Sequence, residues 1–383
     1  ESNKLKFGRN VGVEPKTDLK KHGPCEPVPP PNNVTFFFIY HKDSHEEYRL
    51  LKKYFEEGFK GHPNLQDFIC QPFYLEEELN IVIKDINKAV EEVYAVLKNR
   101  NKEPDTKYFA VYISPIPKYD KNPVNKGIYY RMKEMFLYTG YYSQVIYKGN
   151  IIKYDKATRQ FKPNDFFHIF LPNIEAAMLA KLGGIPWRLD KDDDGELIIG
   201  VGAFNSITLK SKYVGSAFCF DNSGRFKNFT CFGKENTKEL AGSIRDAVLK
   251  FHEQKPQEKR NIIHFYKVMS KRELKPILDT IYNGLDLSVP IIVVTINKTV
   301  SKELLAFDTA DSINLMPYSG TYIKMAERQY LLFNNTRYNP ASKVADKEYH
   351  FPVKIKLTST HLELLEDESL VDLLIDQVYQ FSR

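Results

Sequence analysis

Five short runs of this sequence set branched and aromatic apolar residues side by side: 34–40 (VTFFFIY), 108–114 (YFAVYIS), 196–204 (ELIIGVGAF), 261–266 (NIIHFY) and 289–297 (VPIIVVTIN). Runs this dense leave no polar face, so each needs cover on both sides, as strands of a parallel sheet have beneath helices. The intervening stretches carry helical periodicity. In 44–59 the apolar set is Tyr48, Leu51, Tyr54, Phe55 and Phe59, and 76–100 reads as one long amphipathic helix with an acidic start that suits the helix dipole. Further helices are predicted over 125–138, 173–182 (ended by Gly183-Gly184), 236–253 and 270–283. Strands alternating with helices predict the α/β class. In the second half, 213–220 and 226–232 flank Asp221-Asn222-Ser223-Gly224, which is hairpin chemistry. Several consecutive strands followed by helix-linked ones predict a mixed sheet compatible with an RNase H-like domain.

The length of 383 residues is enough for two or three domains with cores of their own. No apolar run approaches the ~20 residues of a membrane-spanning helix. Cys25, Cys70, Cys219 and Cys231 are far apart and form no CxxC, so neither a zinc ribbon nor a redox motif is indicated. Sparse cysteines and no secretory signal at the start predict a cytoplasmic protein. The chain does not begin with Met, so its own N-terminus is expected to lie further upstream. Charge is unevenly spread. Residues 101–181 hold 13 Lys/Arg against 7 Asp/Glu, while the rest of the chain balances at 42 against 42. A segment with this excess suits a polyanion, and such binding weakens with salt. A solvated lysine-rich face explains it equally well.

Within that segment Tyr129 and Lys133 are four apart and share a helix face. Gln144 follows where the chain returns toward the next strand, and Asn173 and Lys181 lie eight apart on one face of a second helix. Together they supply a phenol, two ammoniums and two amides, an inventory that suits a terminal phosphate. Each pair alone is ordinary surface chemistry. Other candidates carry less. DKDDDGE (190–196) lacks the spacing and closing Glu of a calcium loop. His168, His264, His350 and His361 form no HxxxH pair and read as structural, and no GK[ST] follows Gly183-Gly184.

KLGGIPWRL (181–189), followed by the glycine-containing strand LIIGVGAF (197–204), resembles the junction between the MID and PIWI domains of Argonaute proteins. Tyr129, Lys133, Gln144 and Lys181 resemble that family's pocket for the guide 5′ end, with Asn173 eight residues before Lys181 as in the family pattern. The segment 5–27 is similar to the linker that precedes MID, 316–338 resembles a late PIWI hairpin, and 374–383 resembles the start of the last long helix. The likeness covers nearly the whole chain and is nearest to short prokaryotic Argonautes. It implies a linker segment over 1–27, a Rossmann-like MID domain over 28–185 and an RNase H-like PIWI domain over 186–383, with the family sequence continuing beyond residue 383.

Departures from the family pattern bear on mechanism. Slicing Argonautes hold two divalent metals with acidic or histidine side chains. Gly202 occupies the place of the first Asp and Val268 that of a later one, leaving Glu235 as the next aligned carboxylate. The resemblance therefore implies no catalytic residues and no catalytic metal, with Mg2+ only at the guide 5′ phosphate. Lys324, Arg328 and Arg337, around the late hairpin, are candidate contacts to a guide–target backbone. The implied function is recognition of single-stranded DNA by a guide RNA, with base pairing supplying specificity. Recognition would activate an APAZ-containing effector subunit (sirtuin-like, TIR or nuclease) in prokaryotic defence against plasmids or phage. Two alternatives stand beside it: an active RNase H-type guided nuclease with its acids elsewhere, and a general nucleic-acid-binding α/β protein.

Overall fold

The computed structural model describes residues 4–191, 195–204, 214–221, 226–233, 236–285, 287–297, 305–310, 315–335, 337 and 350–381. The chain divides into two compact units between Arg188 and Leu189.

The first unit opens with the antiparallel pair β1 (Leu5–Phe7) and β2 (Asn10–Gly12) and the helix α1 (Pro15–His22). Its centre is the nine-residue β3 (Asn33–His41), of which seven consecutive residues are buried. Alternation splits that strand between two cores. Phe38 packs toward Tyr48 and Phe55 of α2 (His45–Glu57), while Phe37 and Ile39 join the opposite cluster. After α3 (Leu65–Ile69) and β4 (Tyr74–Leu75), the predicted helix over 76–100 is not one helix. Ile81–Ile83 forms strand β5, parallel to β3, and only Ala89–Leu97 is α-helical (α4). Asn80 accepts a hydrogen bond from the Phe38 N–H at 2.7 Å, and the Asp85 side chain caps the turn that follows. Those side-chain bonds, with three β-branched residues in a row, favour extension there.

Then come β6 (Thr106–Ser114), α5 (Pro123–Tyr138), β7 (Tyr142–Tyr147), the short α6 (Lys148–Ile151), the hairpin of β8 (Ile152–Asp155) and β9 (Gln160–Pro163), and α7 (Leu171–Lys181). The sheet runs β4–β3–β6–β7, with β5 also on β3, and every pairing in it is parallel. Residues 4–27 belong to this unit, where Glu26 and Ile185 exchange backbone hydrogen bonds. The two-residue strand β10 (Arg188–Leu189) lies at the division.

The second unit is one eight-stranded sheet: β11 (Glu196–Phe204), β12 (Val214–Asp221), β13 (Phe226–Gly233), β14 (Arg260–Phe265), β15 (Ile291–Asn297), β16 (Tyr322–Ala326), β17 (Gln329–Leu332) and β18 (Val353–Ser359). Its order is β13–β12–β11–β14–β15–β18–β17–β16. β11, β14 and β15 are mutually parallel, and the flanking pairs are antiparallel. Three strands in a meander followed by helix-linked parallel strands is the RNase H-like arrangement. Leu197, Ile199, Val201, Ile263 and Phe265 face α8 (Thr237–Gln254) and α9 (Lys271–Leu278), whereas Ile198 and Ile262 face α10 (Glu368–Gln380). The predicted helix over 270–283 is α-helical only to Leu278. It contains Pro276, which supplies no N–H, and widens into a π-helical turn over Asp279–Asn283. No helix among the described residues is long and apolar enough to cross a membrane.

Candidate functional site

In the first unit, α5 presents Tyr129 and Lys133 on one face. Asn122 starts that helix by accepting the Val124 and Asn125 N–H groups, and Pro123 stands in the first turn, both favourable for initiation. The Lys133 ammonium lies over the Tyr129 ring, 5.8 Å from its centroid. β7 places Gln144 beside the end of α7. There the Lys181 ammonium donates to the Gln144 side-chain oxygen at 2.7 Å and to the Ser143 carbonyl at 2.5 Å. The end of α7 is itself pinned, since buried Lys107 of β6 donates to the Leu182 carbonyl at 2.9 Å and to the Pro29 carbonyl at 2.7 Å.

The electrostatics of this cluster are unusual for a surface. Lys181 as a residue keeps solvent contact, yet its ammonium is held at about 8, well below the ordinary lysine value. Desolvation is the larger cause and the nearby Lys133 charge the second. No carboxylate pairs with either lysine among the described residues. Burial pushes the Tyr129 phenol up, and the Lys118 charge partly offsets this. The arrangement is a concentration of positive charge with hydrogen-bond donors and, among the described residues, no paired anion.

Asn173 is exposed near the start of α7, about 12 Å of helix rise from Lys181. No hydrogen bond joins it to the other four residues. Two contributors carried no sequence signal strong enough to single them out. Lys118, in the loop between β6 and α5, reaches the charge environment of Tyr129, and only its place just after a strand hinted at this. His62 meets Glu175 of α7 at 2.7 Å inside the unit, where burial pushes the Glu175 carboxyl up to about 7. That contact fixes α7 from the side away from solvent.

A protein-held Mg2+ does not fit these residues. Mg2+ takes oxygen ligands, carboxylates above all, and the cluster offers ammoniums, a phenol and an amide. Among the described residues there is no group of three or more His, Cys, Asp or Glu able to hold a metal ion.

In the second unit, Gly202 lies near the end of β11 and Val268 three residues beyond β14. The two strands pair in parallel up to Val201 and Phe265, so their ends are neighbours. A Cβ at Gly202 would meet nothing within 4 Å, and Val268 is 59% exposed. Glu235 lies outside the described residues. Around the late hairpin, Lys324 is exposed on β16, and Arg328 in the turn pairs with Glu327. Arg337 departs from its expected role as a backbone contact. It is 3% exposed, pairs with Asp308 at 3.0 Å and packs its guanidinium over Tyr318, so its charge is spent inside the unit.

No protein-family pattern matches the sequence, and no curated protein matches it at a significant level. Solved structures do. Drosophila Piwi superposes with a TM-score of 0.65 at 14% identity, over 96% of this chain and 48% of its own. Clostridium butyricum Argonaute bound to a guide DNA and a 19-mer target DNA gives 0.63 at 15%, over 99% and 48%. Marinitoga piezophila Argonaute in complex with 5′ OH guide RNA gives 0.61 at 14%, over 96% and 53%. The chain spans about half the length of these structures. Its fold is Argonaute-like, with a MID-like first unit and a PIWI-like second one.

Proposed function

We propose that the first unit anchors the 5′-phosphorylated end of a small guide RNA, and that the second holds the guide on a complementary single-stranded DNA target without cutting it. One observation carries the anchoring: Lys181, its ammonium desolvated beside Lys133 and bonded to Gln144, has no counter-anion among the described residues. A terminal phosphate supplies close to two negative charges and several acceptor oxygens, enough to engage both lysines and the Tyr129 hydroxyl. Asn173 then contacts the guide further along α7. Lys324 is the exposed cation on the late hairpin available to a phosphate backbone.

Absence of slicing follows from Gly202 and Val268. A two-metal centre requires several carboxylates to balance its charge, and these neighbouring strand ends carry none at the two positions. Recognition then needs a second activity to have an effect, which we assign to an APAZ-containing effector subunit acting in defence against plasmids or phage.

The test is guide binding by the full chain. The double variant Lys133→Ala, Lys181→Ala is expected to bind a 5′-phosphorylated guide at least about a hundredfold more weakly, because charge-assisted hydrogen bonds contribute about 1.5–3 kcal/mol each. It should bind phosphorylated and hydroxyl guides equally. A phosphate preference that survives in the variant overturns the assignment. Copurification with a neighbouring gene product, followed by sequencing of bound nucleic acid, tests the partner and the guide chemistry.

A further inference from the structure

Between β7 and α7 the chain makes an excursion that the phosphate cluster does not use. The β8–β9 hairpin pairs Ile152 with Pro163, Lys153 with Lys162, Tyr154 with Phe161 and Asp155 with Gln160, and belongs to no larger sheet. Residues directly opposite in an antiparallel pair share a face. One face of this ribbon is therefore an aromatic pair, with Tyr154 and Phe161 edge-to-face at 5.3 Å. The rings are 52% and 76% exposed. The other face sets Lys153 opposite Lys162, and like charges directly opposite destabilise a hairpin. Lys156 and Arg159 add two cations at the tip, against the single acid Asp155, which pairs with Lys162.

The hairpin is nonetheless held in place. Buried Asn164 at its base bonds through its backbone N–H to the Ile151 carbonyl at 2.8 Å and through its side chain to the Asn150 carbonyl at 2.7 Å. A two-stranded ribbon has little stability of its own. This one spends what it has on two bare rings and unbalanced positive charge. Exposed rings on one face of a ribbon whose tip and other face carry cations suit single-stranded nucleic acid, because every base has a face to stack and every nucleotide a phosphate to neutralise.

We propose that the β8–β9 hairpin is a second nucleic-acid contact. It takes unpaired nucleotides of the target strand that run on past the guide 5′ end, stacking bases on Tyr154 and Phe161 while Lys153, Lys156 and Arg159 neutralise phosphates. The assignment to the target rests on the guide-anchoring reading above. Pairing is antiparallel, so beyond an anchored guide 5′ end only the target's 3′ flank continues. Gln144 and the hairpin are joined by one strand and α6, and the eight residues from Gln144 to Ile152 span at most about 26 Å.

The test uses the full chain loaded with a 5′-phosphorylated guide. Two targets are compared, one ending opposite the guide 5′ end and one extended by ten unpaired 3′ thymidines. The extended target is expected to bind about tenfold tighter. Tyr154→Ala with Phe161→Ala should remove that advantage and leave the blunt target's affinity unchanged, while Tyr154→Trp with Phe161→Trp retains it. Lys153→Gln with Lys156→Gln should lower the salt dependence of extended-target binding by about one to two counterions. Equal affinity for the two targets in the unmodified protein overturns the proposal. So does an unchanged advantage in the alanine variant, which would leave the rings to a protein partner. A separate arm measures binding of a free thymidine oligonucleotide without guide. If the guide-anchoring reading alone is wrong, that binding still falls in the alanine variant; if the hairpin does not bind nucleic acid, it does not.

Discussion

In the first unit Lys133 and Lys181 stand close together with no carboxylate paired to them among the described residues, while in the second Gly202 lies near the end of β11 and Val268 three residues past the neighbouring β14. The first place concentrates positive charge, whereas the second is bare of carboxylates at its two described positions. Unbalanced positive charge is costly to hold and persists where a ligand supplies the missing anion. Gly202 and Val268 carry no such cost. The contrast is the one on which the proposed division of work rests, with a strand's end anchored in the first unit and a duplex held uncut by the second.

The largest expected effect is the loss of at least about a hundredfold in phosphorylated-guide affinity in the Lys133→Ala, Lys181→Ala variant, read by equilibrium binding. If that variant binds normally, the two units differ in nothing functional.

A second effect follows from protonation. The free Lys181 ammonium titrates at about 8, and a bound phosphate raises it, so binding takes up a proton above that pH. Guide affinity is expected to fall by up to about tenfold per pH unit above pH 8. Lys181→Arg should flatten this dependence, because guanidinium stays charged. A flat wild-type profile from pH 7 to 9.5 would remove Lys181 from the phosphate.

The second unit has its own strained group, away from the bare strand ends. The Glu258 side chain has no exposed surface, and burial pushes its carboxyl up to about 7. His252 stands 3.6 Å away, too far for a hydrogen bond, and Asn261 offsets part of the shift without a bond of acceptable geometry. A raised folded-state value means the neutral form is favoured in the fold. The associated stability is fully present below about pH 4.5 and is lost as pH rises through about 7. Denaturant midpoints of the wild type should decline across that window relative to Glu258→Gln, and parallel profiles would refute the assignment.

The smallest expected effect is at the bare end. Because a Cβ at Gly202 meets nothing within 4 Å, Gly202→Asp should fold with little change in melting temperature. It should still not cleave a complementary strand in Mg2+ or Mn2+, since one carboxylate does not hold two metals. Cleavage by the wild type would end the contrast between the units.

The dense apolar runs announced β3, β6, β11, β14 and β15 because a strand buried on both faces needs no partner-specific information to be recognised. Tyr129 and Lys133 were legible for a similar reason, since i,i+4 spacing on a helix is local geometry. The long helix expected over 76–100 failed because its apolar pattern fits a helix, while Asn80 and β3 offered a competing set of hydrogen bonds for Ile81–Ile83. Arg337 read as a surface cation because its partner Asp308 is 29 residues away in sequence.

The sequence by itself determined the α/β class, the helix face that carries Tyr129 and Lys133, and the residues at the two strand ends, all of them set by spacing along the chain. Only the tertiary structure decided that Lys181 meets Gln144, that Lys118 bears on Tyr129, and that Arg337 is buried. Those outcomes depend on desolvation and on charges brought together through space. Neither quantity is a property of any residue until the chain has folded around it.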